Sequence, residues 1–147
     1  MAGFEFRETM TGTYHRLDAP GDERPMSITV RAEASGLRKF LFDPTTRIEG
    51  EVDAQGLADH RALRGTLEIN PILKRRLVYD FAFEDNDGRP CRFHGEKELD
   101  ALRLVSTMTT LPGSIWRDDV EIARAVLRFH VREDLVSFVR SFRPRTR

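Results

Sequence analysis

Two charged side chains fall where apolar ones are expected. In "FRETMTG", Glu8 alternates with Phe6 and Met10; in "RPCRFHGEKEL", Lys97 alternates with Cys91, Phe93, Gly95 and Leu99. A period of two places alternate side chains on one face of a strand, so both charges point to the apolar side of their own strands. A lone buried charge is costly, and the opposite charge is the natural partner for each. Tyr79, on the strand expected to pair with that of Lys97, and Thr109 add hydroxyls, while Met10, Phe81 and Phe93 supply apolar surroundings. Three chemistries are open to such a cluster. It is a structural ion pair that fixes register, or the polar floor of a cavity that orients a mostly apolar guest. In the third, Glu8, Lys97 or Tyr79 moves a proton in a small cofactor-free cyclase or isomerase.

Other chemistry finds little footing. There is no GxSxG, no glycine-rich phosphate loop and no HExxH, so no cofactor is expected. His15, His60, His94 and His130 are far apart in sequence, with His94 and His130 on the outer faces of their strands, and no metal site is expected from them. Glu84, Asp85 and Asp87 lack the remainder of a calcium-loop pattern and read as a solvated hairpin turn. The basic stretches "LKRRL" and "RSFRPRTR" have no interleaved stacking aromatics and do not predict nucleic-acid binding.

The elements that must position the cluster are mostly strands. Alternation marks strands in "FEFRETMTGTY", "MSITVRAEA", "TRIEGEVDA", "ALRGTLEINP", "RRLVYDFAFED", "RPCRFHGEKEL", "LRLVSTMTTL" and "VLRFHV". "DNDG" predicts an antiparallel hairpin with Tyr79, Phe81, Phe83, Phe93 and Lys97 on one inner face. "PGS" is expected to turn the chain after Leu111, and "IWRDDVEIARA" has no clear assignment. "SGLRKFLFDP" and "REDLVSFVRSF" pattern as short helices, and residues 143–147 as a frayed tail. Many short strands and two helices predict a single all-β domain over residues 1–147, an antiparallel β-barrel of about eight strands. Gly12, Gly50, Gly65 and Gly95 in core-facing register favour closure, because a missing side chain relieves a tight bend or leaves room for a neighbour.

Bulk properties narrow the partners. The 147 residues suffice for one core, and 24 basic residues balance 24 acidic ones, so no net field attracts nucleic acid or an anionic membrane. The lone Cys91 excludes an intramolecular disulfide framework. No apolar run has the length of a signal peptide or a membrane span, and a cytoplasmic location is expected.

Taken in order, "FRETMTG", "LRKFLFDPTTRIEGEV", "LRGTLEI", "RRLVYDFAFEDNDGRPCRFHGEKELD", "TTL" and "LRFHVREDLVSFVRSF" resemble the accessory domain found beside the flavin oxidase part of bacterial cholesterol-oxidase-like proteins of the glucose-methanol-choline type. That family's E-x-M-x-G and G-x-K elements fall here on Glu8, Met10, Gly12, Gly95 and Lys97. The resemblance implies an accessory role in lipid or sterol metabolism, with an oxidoreductase partner, and no mechanism. The expectation is therefore a binding module for a hydrophobic small molecule, with the barrel enzyme and a structural docking domain as alternatives.

Overall fold

The structure, a computed structural model, describes residues 3–34, 45–70, 76–98, 110–128 and 143–145. Among the described residues, nine strands form one antiparallel sheet: β1 (Gly3–Arg16), β2 (Arg24–Ala34), β3 (Thr45–Ala54), β4 (Ala58–Asn70), β5 (Arg76–Glu84), β6 (Pro90–Glu98), β7 (Thr110–Arg117), β8 (Val120–Arg128) and β9 (Arg143–Arg145). Strands β1 to β8 follow sequence order around the wall, and β1 pairs with both β2 and β8, which closes an eight-stranded barrel. Closure removes the open edges that a sheet of this length would otherwise present. β9 pairs with Gly3–Glu5 of β1, so residues 143–145 extend the sheet where a frayed tail was expected. The two expected helices, residues 35–44 and 132–142, lie outside the described residues.

Alternation sorts the wall as the sequence predicts. Met10, Ile28, Val52, Leu67, Phe81 and Phe93 are each buried to 2% exposure or less. The outward positions between them carry charge, for example Arg31, Glu49, Arg64 and Arg92. A membrane-spanning barrel has the reverse arrangement, an apolar belt outside and a polar lumen. Among the described residues no helix is long and apolar enough to cross a membrane.

The antiparallel hairpin of β5 and β6 forms as predicted, in a register that sets Phe81 opposite Phe93 and Tyr79 opposite Gly95. The expected turn at "PGS" does not form. Pro112, Gly113 and Ser114 lie inside β7, and the chain turns at Asp118 and Asp119, both with positive φ (53° and 61°). Aspartate tolerates that conformation, and the two-residue turn it makes matches the twist of a hairpin. Gly113 is small because of its neighbour: a Cβ there would lie 2.3 Å from the Phe93 ring. At Gly65 the wall itself closes in, since a Cβ would lie 2.0 Å from the Asp80 carbonyl oxygen.

Four short connections, β1–β2, β3–β4, β5–β6 and β7–β8, share one end of the barrel. The described strands β2, β4 and β6 end, and β3, β5 and β7 begin, at the other end.

Candidate functional site

The described residues of the predicted cluster lie on the inner wall. Met10 faces Ile28 across the β1–β2 ladder and is fully buried. Phe81 and Phe93 stack at 4.8 Å between centroids with 14° between their planes, and Tyr79 is 1% exposed beside them. These rings fill the middle of the barrel, as expected for eight strands, whose interior is just wide enough for side chains or one small ligand. Glu8 continues the inward register of Met10 and is 8% exposed, with Oε1 out of contact with solvent. Lys97 continues the inward register of Phe93, pairs with Leu77 on β5, and is half-buried. Thr109 lies outside the described residues.

Glu8 and Lys97 do not meet. The Lys97 ammonium donates to Thr110 Oγ1 at 2.7 Å, and among the described residues it has no carboxylate within ion-pair distance. Burial lowers its pKa from the ordinary lysine value, with no anion among the described residues to raise it again. The expected pair fails for a geometric reason. Alternation says that a side chain points inward, but Glu8 is on β1 and Lys97 on β6, with β7 and β8 between them around the wall. The hydroxyl that Lys97 uses belongs to the residue after the one predicted.

A buried ion pair does exist, at the hairpin end. Asp85, in the turn read as solvated, is 2% exposed and accepts from Arg117 Nη1 at 2.8 Å. Its other oxygen accepts from the backbone N–H groups of Asp87 and Arg89, both at 2.9 Å. Burial pushes the Asp85 carboxyl upward, and the bonds from Arg89 N, Arg117 and Asp87 N together outweigh it, leaving its pKa below the ordinary carboxylate value. The sequence held a signal for this: Asp85 has the parity of Phe81 and Phe83, and Arg117 that of Ile115. The adjacent Asn86 docks the turn onto the β3–β4 connection, with Asn86 N donating to Leu57 O at 2.8 Å and Asp59 N donating to Asn86 Oδ1 at 2.8 Å. Tyr14 adds a hydrogen bond from its hydroxyl to Gln55 O. This end is sealed by hydrogen bonds between turns.

The remaining ionisable groups of interest are surface or inert. His94 lies on the outer face, 3.0 Å from Asp80 Oδ2, and Arg92 also donates to that carboxylate. Ser114 stands opposite His94 in the β6–β7 ladder, but its hydroxyl bonds to Glu121, so Asp80, His94 and Ser114 do not form a relay. Burial pushes the Cys91 thiol up and away from reactive thiolate. Among the described residues no group of three ligating side chains is placed to hold a metal.

No family model and no curated protein matches this chain. A solved redesigned β-barrel is similar over 84% of this chain and 90% of that one, with 10% identity and a TM-score of 0.48.

Proposed function

We propose that the chain is a non-catalytic binding module for a hydrophobic small molecule, lipid or sterol-like, received at the end of the barrel away from the hairpins. One observation carries this reading: the Lys97 ammonium faces inward, is partly desolvated, and uses one of its three donors on Thr110. A structural charge is normally saturated with partners, whereas this one has donors left for a guest's polar group. Glu8 and Thr46, at 8% and 9% exposure, are further inward polar residues. Buried leucines, Leu77, Leu111 and Leu127, offer the apolar contact such a guest needs. The ordered motifs and their resemblance support a place beside a flavin oxidoreductase.

Thermal unfolding with a long-chain fatty acid and with a sterol tests the reading. A ligand held only by the folded state at about 100 times its Kd stabilises by about 2.7 kcal/mol, which raises Tm measurably. Lys97→Met should abolish the shift for the ligand whose polar group it holds. No shift with either ligand at saturation overturns the proposal.

A further inference from the structure

Among the described residues the wall of the barrel is interrupted between β6 and β7. Their ladder runs only from Arg92 opposite Trp116 to Gly95 opposite Gly113. Beyond that rung β6 continues to Glu98 against β5, and β7 begins at Thr110 against β8, so residues 96–98 and 110–112 each have one strand neighbour and do not pair with each other. Pro112, next to the last rung, has no N–H with which to extend the ladder. The seam lies toward the end away from the hairpins. Phe93 plugs its lower limit from inside, because its ring atoms lie 2.3 Å and 2.9 Å from where side chains would begin at Gly113 and Gly95.

A side-chain contact crosses this seam. Lys97 has the inward parity of Phe93 and Gly95, whereas Thr110 has the outward parity of exposed Pro112, with fully buried Leu111 between them. In a paired wall the ladder separates an inner side chain on one strand from an outer side chain on the next. Lys97 Nζ nevertheless donates to Thr110 Oγ1 at 2.7 Å. The lysine therefore reaches from the inner face into the seam. Two donor groups meet there. The ammonium has three hydrogens and uses one, while the Thr110 hydroxyl accepts that bond and keeps its own hydrogen, which has no acceptor among the described residues. Apolar surface begins directly inside them, since Leu111 follows Thr110 and Leu77 stands opposite Lys97 on β5, both buried.

We infer that the guest is an aliphatic carboxylic acid whose head group lies in this seam, with one carboxylate oxygen on Lys97, the other on Thr110, and the alkyl chain inside against Leu77 and Leu111. The inference rests on the reading that the barrel receives a hydrophobic guest, and narrows it in class and in place. A carboxylate offers one acceptor oxygen to each donor group and a counter-charge to a partly desolvated ammonium, and such charge-assisted bonds are the strong ones. A sterol hydroxyl has a single oxygen and no charge, and would leave the ammonium without a counter-ion.

Decanoate and decan-1-ol, which differ only in the head group, are titrated into the full chain by calorimetry, with the acid ionised and below its micelle concentration. Decanoate should bind about tenfold or more tightly than the alcohol, the scale of a charged hydrogen bond. Lys97→Met should bring decanoate down to the affinity of the alcohol and leave the alcohol unchanged. Thr110→Val, which keeps the side chain's shape without the hydroxyl, should weaken decanoate by about three- to tenfold. Amide NMR shifts that decanoate causes and decan-1-ol does not should centre on residues 96–98 and 110–113, a readout that needs no variant. Equal affinity for the two heads, decanoate binding unchanged in both variants, or head-dependent shifts elsewhere in the chain overturns the inference while a hydrophobic guest still stands. Binding of neither compound overturns it together with the reading beneath it.

Discussion

The two ends of the barrel treat an inward charge in opposite ways. At the hairpin end Asp85 is almost fully buried and accepts three hydrogen bonds, one of them from a guanidinium. Lys97, toward the other end, is half-buried and makes one. The first is a saturated group that organises the turn around it, which is how a folded protein offsets the cost of a buried charge. The second retains unused donors while only partly desolvated. Saturation, more than burial, separates a charge that holds the fold together from one available to a guest.

The largest effect expected from this contrast is at Asp85. Asp85→Ala strands Arg117, which is itself only 19% exposed, and frees the backbone donors of Asp87 and Arg89. Denaturant unfolding should show a loss of about 3–5 kcal/mol, the range for breaking a buried pair. Adding Arg117→Met should recover part of it, because no unpaired guanidinium then remains. A loss under about 1 kcal/mol for Asp85→Ala would erase the distinction between the two ends.

A smaller effect follows from protonating the same group. The folded pKa of Asp85 is depressed, so the folded state binds its proton less well than the unfolded state. Its contribution to stability is fully present above the unfolded value of about 3.9 and is lost as pH falls through the folded value. Asp80, lowered mainly by its bond to Arg92, titrates in the same direction and adds a background slope. The difference in urea midpoint between wild type and Asp85→Asn isolates Asp85. That difference should shrink as pH drops below about 4. A gap that stays constant down to acid unfolding would show that Asp85 carries no such linkage.

These residues also show how far the sequence could be read. Period-two alternation placed Met10, Tyr79, Phe81 and Phe93 inside, and "DNDG" placed the β5–β6 hairpin, because both signals are local. "PGS" misled for a tertiary reason: Gly113 is needed under the Phe93 ring, and neither residue's sequence neighbourhood contains the other. Asp85 misled because its acidic, turn-forming context outweighed its parity with Phe83. The position of Glu8 relative to Lys97 depends on strand order and stagger around a closed wall, and no single strand encodes those.

The smallest expected effects are at Lys97, and they sharpen the comparison most. Had Lys97 been the partner of Glu8, each single substitution would have cost what Asp85→Ala costs, and the double change would have recovered much of it. With Thr110 as its partner, Lys97→Met should shift stability by under about 1 kcal/mol, since one hydrogen bond is lost while a partly desolvated charge is removed. Glu8→Gln and Lys97→Met should then be additive to within about 0.5 kcal/mol in a double-mutant cycle. The alkaline limb gives an independent reading of the same residue. Burial lowers the folded pKa of Lys97 while the unfolded value stays near 10.4, so the folded state releases its proton first. Stability should therefore rise with pH between the folded and unfolded values, where the unfolded chain binds more protons. Lys97→Met should remove that rise from the urea midpoint. A bound guest that supplies an anion to Lys97 would raise its folded pKa and flatten the rise without any mutation, which ties this small slope to the proposed ligand. A coupling of several kcal/mol between Glu8 and Lys97, or an alkaline rise unchanged in Lys97→Met, would return Lys97 to the class of Asp85.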